Sequence, residues 1–572
     1  MASTTNLSND ESPRGVGPRL VLTLLGSADT WLPAAVLVLP ALVWLGLEGR
    51  AYAPFEPYMT GDYAKIELYT RLAAEGSQRL GTESRFHIHH LGPAFFYFAA
   101  PVYVLLGGTT KGMAVAALAW NLLFLVALLR GASRLAPGVG PFVAAVLLFV
   151  FLQARGVGWL LSSWNPHLAM LPFGVALIAC ARLATGEGRA LTVLALAGSV
   201  VLQGHMVWAP PLVFAGAAGL LLCLWPQLRR WLRIPTRGDG LGRAAVAATL
   251  AVACVLWALP VYDELTGEYK NFRRIVTMGT EEYEPRSWSE SLGPCLRAFE
   301  LRRDGQAPGA SFEWGARNVG VDPRLGMGGT PGDITETFTP REALWAAALA
   351  AGLGACFVMG ARRGAATASL ALAALLAGAA LPVVARQSPG RELPWYLLQW
   401  GAMVTLVALL AIGVEAIERT RPLAEWARGK AGQALLAALS VLLLASAVRA
   451  QRAAGPPARN PRAIAVERLT MAIQERAALD VGRRRFLLKV APHEDQATAV
   501  GLILALDKAR VPFSVEPFGS CRIEGRFTPR GNEWAELLIG NLEARPGALR
   551  LDDRDGVSVV WQKKQSIGGR VE

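Results

Sequence analysis

Apolar runs of roughly 17 to 20 residues recur along most of the chain, separated by short polar stretches. They predict spanning helices near 30–48, 112–130, 139–155, 168–184, 190–206, 209–225, 243–261, 342–360, 366–385, 394–415 and 432–450. A further apolar run, 93–107, offers only about fifteen residues where a span needs about twenty. It is expected to lie in or dip into the interface, a depth that suits Phe95, Phe96, Tyr97, Phe98 and Tyr103. After Ala450 the pattern changes. A Pro/Arg/Ala linker (451–463) leads to a helical run (464–480), an apolar strand (485–490), a helix (494–509) and strands near 511–516, 535–540 and 556–562. The fold class expected is an α-helical polytopic membrane protein of about eleven spanning helices with a small C-terminal α/β extramembrane domain.

Charge sets the orientation. Arg229, Arg230, Arg233, Arg237 and Arg243 crowd one loop, Arg362 and Arg363 a second, and Arg419, Arg421, Arg428 and Lys430 a third. Arg130 with Arg134, and Arg182 with Arg189, mark two more. All five fall on the cytoplasmic side, as the positive-inside rule asks, provided that 93–107 does not cross. The expected division is a polar cytoplasmic tail (1–29), a membrane domain (30–450) with outer loops at 49–111 and 262–341, the linker, and an α/β domain (464–572) on the outer side. Within 262–341 an amphipathic helix is expected around 263–278. No cleavable signal is visible, so the first apolar run, from Trp31 to Leu47, is expected to stay as an anchor.

Composition agrees. Only 18% of the 572 residues are charged, against about a quarter in soluble chains. The net charge of +13 is spread over short loops with no continuous basic face, which argues against nucleic acid. The six cysteines include no zinc-type pair. Cys180, Cys223, Cys254 and Cys356 lie in apolar runs, and nothing in the spacing of Cys295 and Cys521 supports a disulfide.

The chemistry-bearing residues gather in the outer segments. Gly61-Asp62-Tyr63-Ala64-Lys65-Ile66-Glu67 and His87-Ile88-His89-His90-Leu91-Gly92-Pro93 hold carboxylates, a lysine and three histidines at a membrane edge, where desolvating charge is costly. Trp164-Asn165-Pro166-His167 and Gln203-Gly204-His205 bring further polar residues to the same side. Asp62 reads as a helix N-cap, as a catalytic base, or as both. Glu67 would point to another side of that helix and could pair with Arg71. His87-x-His89-His90 could hold a divalent metal ion, although no cofactor is required. Arg386 and Arg391, in a short outer loop, read as a phosphate clamp or as solvated charges.

These motifs, in this order, resemble those of the GT-C superfamily of polytopic glycosyltransferases, which includes protein O-mannosyltransferases and aminoarabinose transferases. The matching residues are Gly61 to Glu67, His89 to Tyr97, Trp164 to Pro166 and Gln203 to His205. The resemblance extends over most of the chain, including 501–522. It implies a bacterial inner-membrane enzyme with a polyprenyl-phosphate sugar donor, a glycan, lipid or protein acceptor reached from the outer face, and Asp62 as general base. Arg386, Arg391 and a protonated histidine would neutralise the leaving phosphate. Asn165 departs from the pattern, since many members carry a second acidic residue there. That departure is the best support for an alternative, a protein that binds or transports lipid-linked sugar without chemistry. A metal-handling membrane protein built on the histidines is a third reading.

Overall fold

The structure is a computed structural model. It describes residues 28–51, 58–84, 88–267, 270–280, 285–301, 338–387, 397–454, 461–479, 485–490, 496–517, 527, 529, 533, 535–539, 549–552 and 559–563. Among these, eight helices are long and apolar enough to cross a membrane. Ala28–Ala51, Val139–Arg155 and Ala190–Gly204 occupy the three remaining expected spans. The span expected at 366–385 is broken at Ala380 into Thr367–Ala379 and Leu381–Arg386, with Pro382 in the first turn of the second piece.

Helix Asn165–Ala184 is the buried centre of the bundle, and small residues let its neighbours approach. A Cβ on Gly131 would stand 2.7 Å from Ile178 Cγ2, and one on Gly219 would stand 2.7 Å from the carbonyl oxygen of Cys180. Outer helices such as Arg243–Thr266 leave most of their surface uncovered by protein, as lipid-facing helices should.

The arginine-rich loops meet at one end of the bundle. Arg237 Nη1 donates to Leu135 O at 2.7 Å, and Arg363 and Arg428 both reach Glu418. Helix Ala94–Leu105 stays at the opposite end. Its twelve residues span only about 18 Å. Gln203 Oε1 accepts from Ala94 N at its start, and just beyond its end Thr110 bonds Glu67, so both termini sit in the same layer. One local expectation needs correcting. The amphipathic helix around 263–278 is two pieces: Arg243–Thr266 runs on past the apolar stretch, and a new helix, Asn271–Thr280, starts after Lys270, whose φ is +51°. Cys295 is a buried free thiol, while Cys521 lies outside the described residues.

The C-terminal unit has helix Pro461–Leu479, strand β1 (Phe486–Val490), helix Gln496–Lys508, and strands β2 (Phe513–Val515), β3 (Ala535–Ile539), β4 (Leu549–Asp552) and β5 (Val559–Lys563). The sheet order is β2-β1-β3-β5-β4. β1 runs parallel to both β2 and β3, and β5 is antiparallel to β3 and β4. Strand β4 has no counterpart among the expected elements. The unit does not keep its core to itself. Ile66, Tyr69 and Tyr103 from the first loop pack with Phe486, Val500 and Leu504 in one apolar cluster.

Replacing Gly219 by Leu should push the Ala209–Leu224 helix off the backbone of Cys180. The expected loss is about 1–3 kcal/mol, read as an earlier thermal unfolding transition of the detergent-solubilised protein.

Candidate functional site

Helix Gly61–Ala74 begins at Thr60, and Gly61 enters it with φ +57°. Asp62 therefore stands in the first turn and is not the N-cap, as its position after a glycine suggested. Its side chain is half-buried, while Tyr63 to Thr70 behind it are buried. Trp164 Nε1 donates to Asp62 Oδ2 at 3.1 Å. A carboxylate near a helix N-terminus is further favoured by the peptide dipoles.

Trp164 is itself aligned by Ser162, which the motifs did not single out. Ser162 Oγ lies 2.7 Å from His167 Nδ1 and 3.3 Å from Tyr63 Oη, and it accepts from Trp164 N at 3.3 Å. The Trp164 and His167 rings meet edge to face, with centroids 4.9 Å apart. Burial pushes the Tyr63 phenol well above its ordinary value and keeps it protonated. Ser162 was invisible beforehand because a serine next to a serine in a loop carries no spacing signal.

On the other wall, residues 81–84 and 88–90 form a short antiparallel pairing, closed by Gly81 N to His90 O at 3.0 Å and His90 N to Thr82 O at 2.9 Å. His89 Nδ1 sits 3.0 Å from Gly81 O. Its backbone is matched on both sides by the amide of Asn271, which accepts from His89 N and donates to His89 O. His90 Nδ1 accepts from Met206 N at 3.3 Å, and its ring lies 5.0 Å from that of His205. Lys65 and Glu83 face each other at 3.9 Å beside this pairing. Gln203 holds Ala94 N with its oxygen and Leu256 O with its nitrogen, and Asn165 Nδ2 donates to Gly204 O at 3.0 Å. Thr82, Ser163, Asn165 and Gln203, with Phe95 and Trp120, line a cavity of about 20 Å³, room for one water molecule.

Burial pulls His205 down to about 3. It also holds His90 well below the usual imidazole range, helped by His205, His89 and Lys65. Both rings are neutral at pH 7. The desolvation that encloses the His90 and His205 rings disfavours the cationic form that would meet a leaving phosphate.

Glu67 and Arg71 do not pair with each other. Glu67 is fully buried and accepts from Tyr103 Oη and Thr110 Oγ1, each at 2.8 Å, with Lys508 Nζ at 2.7 Å. Arg71 turns to Asp507 Oδ2 at 2.6 Å. Two residues 436 positions apart outcompete a helix neighbour because the C-terminal unit covers this face. Arg386 stacks 4.7 Å over Trp288, and its carbonyl accepts from Arg286 N. These contacts lie on the 285–301 segment, and none of them reaches Asp62. His87 and Arg391 lie outside the described residues. Among the described residues no group of three His, Cys, Asp or Glu side chains is arranged to hold a metal ion. His89 and His90 turn their Nδ1 atoms to different partners, Gly81 O and Met206 N.

Fold and site together define a multi-spanning helical membrane protein with a polar, histidine-rich site at the end of the bundle away from the arginine loops. No protein-family model matches the chain, and no curated protein does. Among solved structures it is similar to ArnT from Cupriavidus metallidurans bound to undecaprenyl phosphate, with 13% identity and a TM-score of 0.49, covering 94% of this chain and 98% of that one. It is also similar to ArnT from Cupriavidus metallidurans in the apo state, with 14% identity and a TM-score of 0.40 over 95% and 98% of the two chains. Neither comparison assigns a role to any residue of this chain.

The buried imidazoles give a pH prediction. A histidine with a depressed folded pKa leaves the unfolded state holding more protons between about pH 6.5 and the folded value, so stability falls as pH drops through that window. The unfolding temperature should fall steadily from pH 7 toward pH 4. His205→Asn should flatten that slope, measured by nanoscale fluorimetry in detergent.

Proposed function

We propose that this chain is a membrane glycosyltransferase. It would move a sugar from a polyprenyl-phosphate donor to an acceptor hydroxyl on the outer face, with inversion. The order of the Gly61–Glu67, His89–Tyr97, Trp164–Pro166 and Gln203–His205 motifs supports the donor class. The observation that carries the chemistry is the Asp62 carboxylate, with Oδ2 held by Trp164 Nε1 at 3.1 Å and its side chain only half-buried.

In the proposed reaction Asp62 accepts the acceptor's hydroxyl proton. The acceptor oxygen bonds to the anomeric carbon while the bond from that carbon to the phosphate oxygen breaks, and polyprenyl phosphate leaves. Trp164 fixes the carboxylate before the substrate arrives, so little reorganisation is needed at the moment of transfer. The hub at Ser162 fixes Trp164 in turn. His90 and His205, held neutral by burial, would serve as hydrogen-bonding walls. The negative charge that develops on the leaving phosphate would fall to lysine and arginine, with Lys65 and Arg386 as the candidates. Asn165, the departure from the acidic pattern, spends its amide on Gly204 O and ties two segments of the site together.

Asp62→Asn keeps the shape and loses the base. Transfer from a panel of polyprenyl-phosphate sugars, followed in proteoliposomes as release of polyprenyl phosphate, should drop by about 10²–10⁴-fold with an unchanged unfolding temperature. A variant as active as the parent would remove Asp62 from the role. Ser162→Ala should cost less, about tenfold or more, through a misplaced Trp164, with the loss in kcat and not in donor KM.

A further inference from the structure

The C-terminal unit contributes no group to the scheme above, yet one of its helices touches the segment that carries Asp62 at two places. Near the start of that segment Gly501 has no room for a side chain. A Cβ there would stand 2.5 Å from Met59 O, 3.0 Å from Val466 Cγ2 and 3.4 Å from Thr60 Cγ2. Met59 and Thr60 lead directly into Gly61 and Asp62. Further along, Lys508 Nζ lies 2.7 Å from Glu67 Oε1 and 3.0 Å from Thr110 Oγ1, and Asp507 holds Arg71. One close backbone approach and two ion pairs thus fix Gly61–Ala74 along its length.

We infer that Gly501 and Lys508 are positioning residues for Asp62, so that the C-terminal unit sets where the carboxylate stands. The inference rests on the reading of Asp62 as the base. A helix gripped near both ends by one rigid partner can neither slide nor rotate. Loss of the Lys508 charge leaves Glu67 buried without its counter-charge, and the helix would shift to rehydrate it. A displacement of about 1 Å at a reacting group is enough to cost about 10²-fold in rate. The shared core explains the cohesion of the two parts, but by itself it does not require a charged grip at one end and a glycine contact at the other.

The test uses the full-length protein with Lys508→Met, Lys508→Arg and Gly501→Ala. Two readouts are taken: kcat and donor KM, and the labelling rate of Asp62→Cys by a membrane-impermeant maleimide in a background where Cys254 and Cys521 are serine. The expected result is a kcat reduced about tenfold or more at unchanged donor KM for Lys508→Met and Gly501→Ala. Labelling at position 62 should change several-fold, and Lys508→Arg should stay near the parent. Unchanged kcat and labelling in a folded Lys508→Met protein would overturn the inference. So would a lowered unfolding temperature with parental labelling in the folded fraction. If Lys508→Met does not fold, Gly501→Ala decides by the same criteria. Labelling does not depend on activity. An active Asp62→Asn variant would therefore sink the catalytic reading and leave the positioning result standing.

Discussion

A single buried carboxylate, Glu67, determines how this end of the molecule is put together. Removing a carboxylate from water costs several kcal/mol unless donors replace the water. Glu67 obtains its donors from three separate segments: Tyr103 on the short apolar helix, Thr110 at the start of the next span, and Lys508 in the C-terminal unit. None of these can move away without leaving charge exposed to an apolar surrounding. The short helix therefore stays in the layer of the site, the next span starts at a fixed height, and the C-terminal unit is docked in one orientation. Apolar packing around Tyr69, Phe96 and Leu504 supplies the bulk of the cohesion, but it is directionless.

The site built on this frame is a set of polar groups that satisfy one another. Asn271 stands in for a strand neighbour of His89, Gln203 serves a helix start and a helix carbonyl, and Ser162 connects a phenol, an imidazole and a backbone amide. Such mutual satisfaction keeps ionisable residues affordable at a membrane edge and also rigidifies them. Against it, Asp62 differs in being half-buried, with its known hydrogen bond on one oxygen. Fixed surroundings and an accessible carboxylate make a consistent setting for proton transfer.

Much of the architecture was legible in the residue pattern because the bilayer imposes a length on apolar runs, and arginine-bearing loops show which ends belong together. Each expected span is helical, one of them with a break at Ala380, and the short 93–107 run forms a twelve-residue helix with both ends in one layer. The alternation after Ala450 also carried through, apart from β4, whose four residues Leu549–Asp552 alternate as a strand should but are too few to stand out. Of the residues singled out by their order along the chain, the structure gathers His89, His90, His167, His205, Trp164 and Gln203 at one end of the bundle. Ser162, Asn271 and Lys508 could not be found in that way, since each is an ordinary residue whose role comes from a partner far away in sequence. The Glu67–Arg71 pairing failed for the same reason: helix spacing describes neighbours on an isolated helix, and this one is covered by a distant part of the chain.

The ion pair between Arg71 and Asp507 also imposes an order on biosynthesis. The two residues lie 436 positions apart, so a ribosome delivers the first loop long before its partner exists. Until the helix Gln496–Lys508 has been made, Glu67 and Arg71 lack the counter-charges that they meet in the folded molecule. Docking of the helix Gln496–Lys508 is therefore the event that closes the first loop electrostatically.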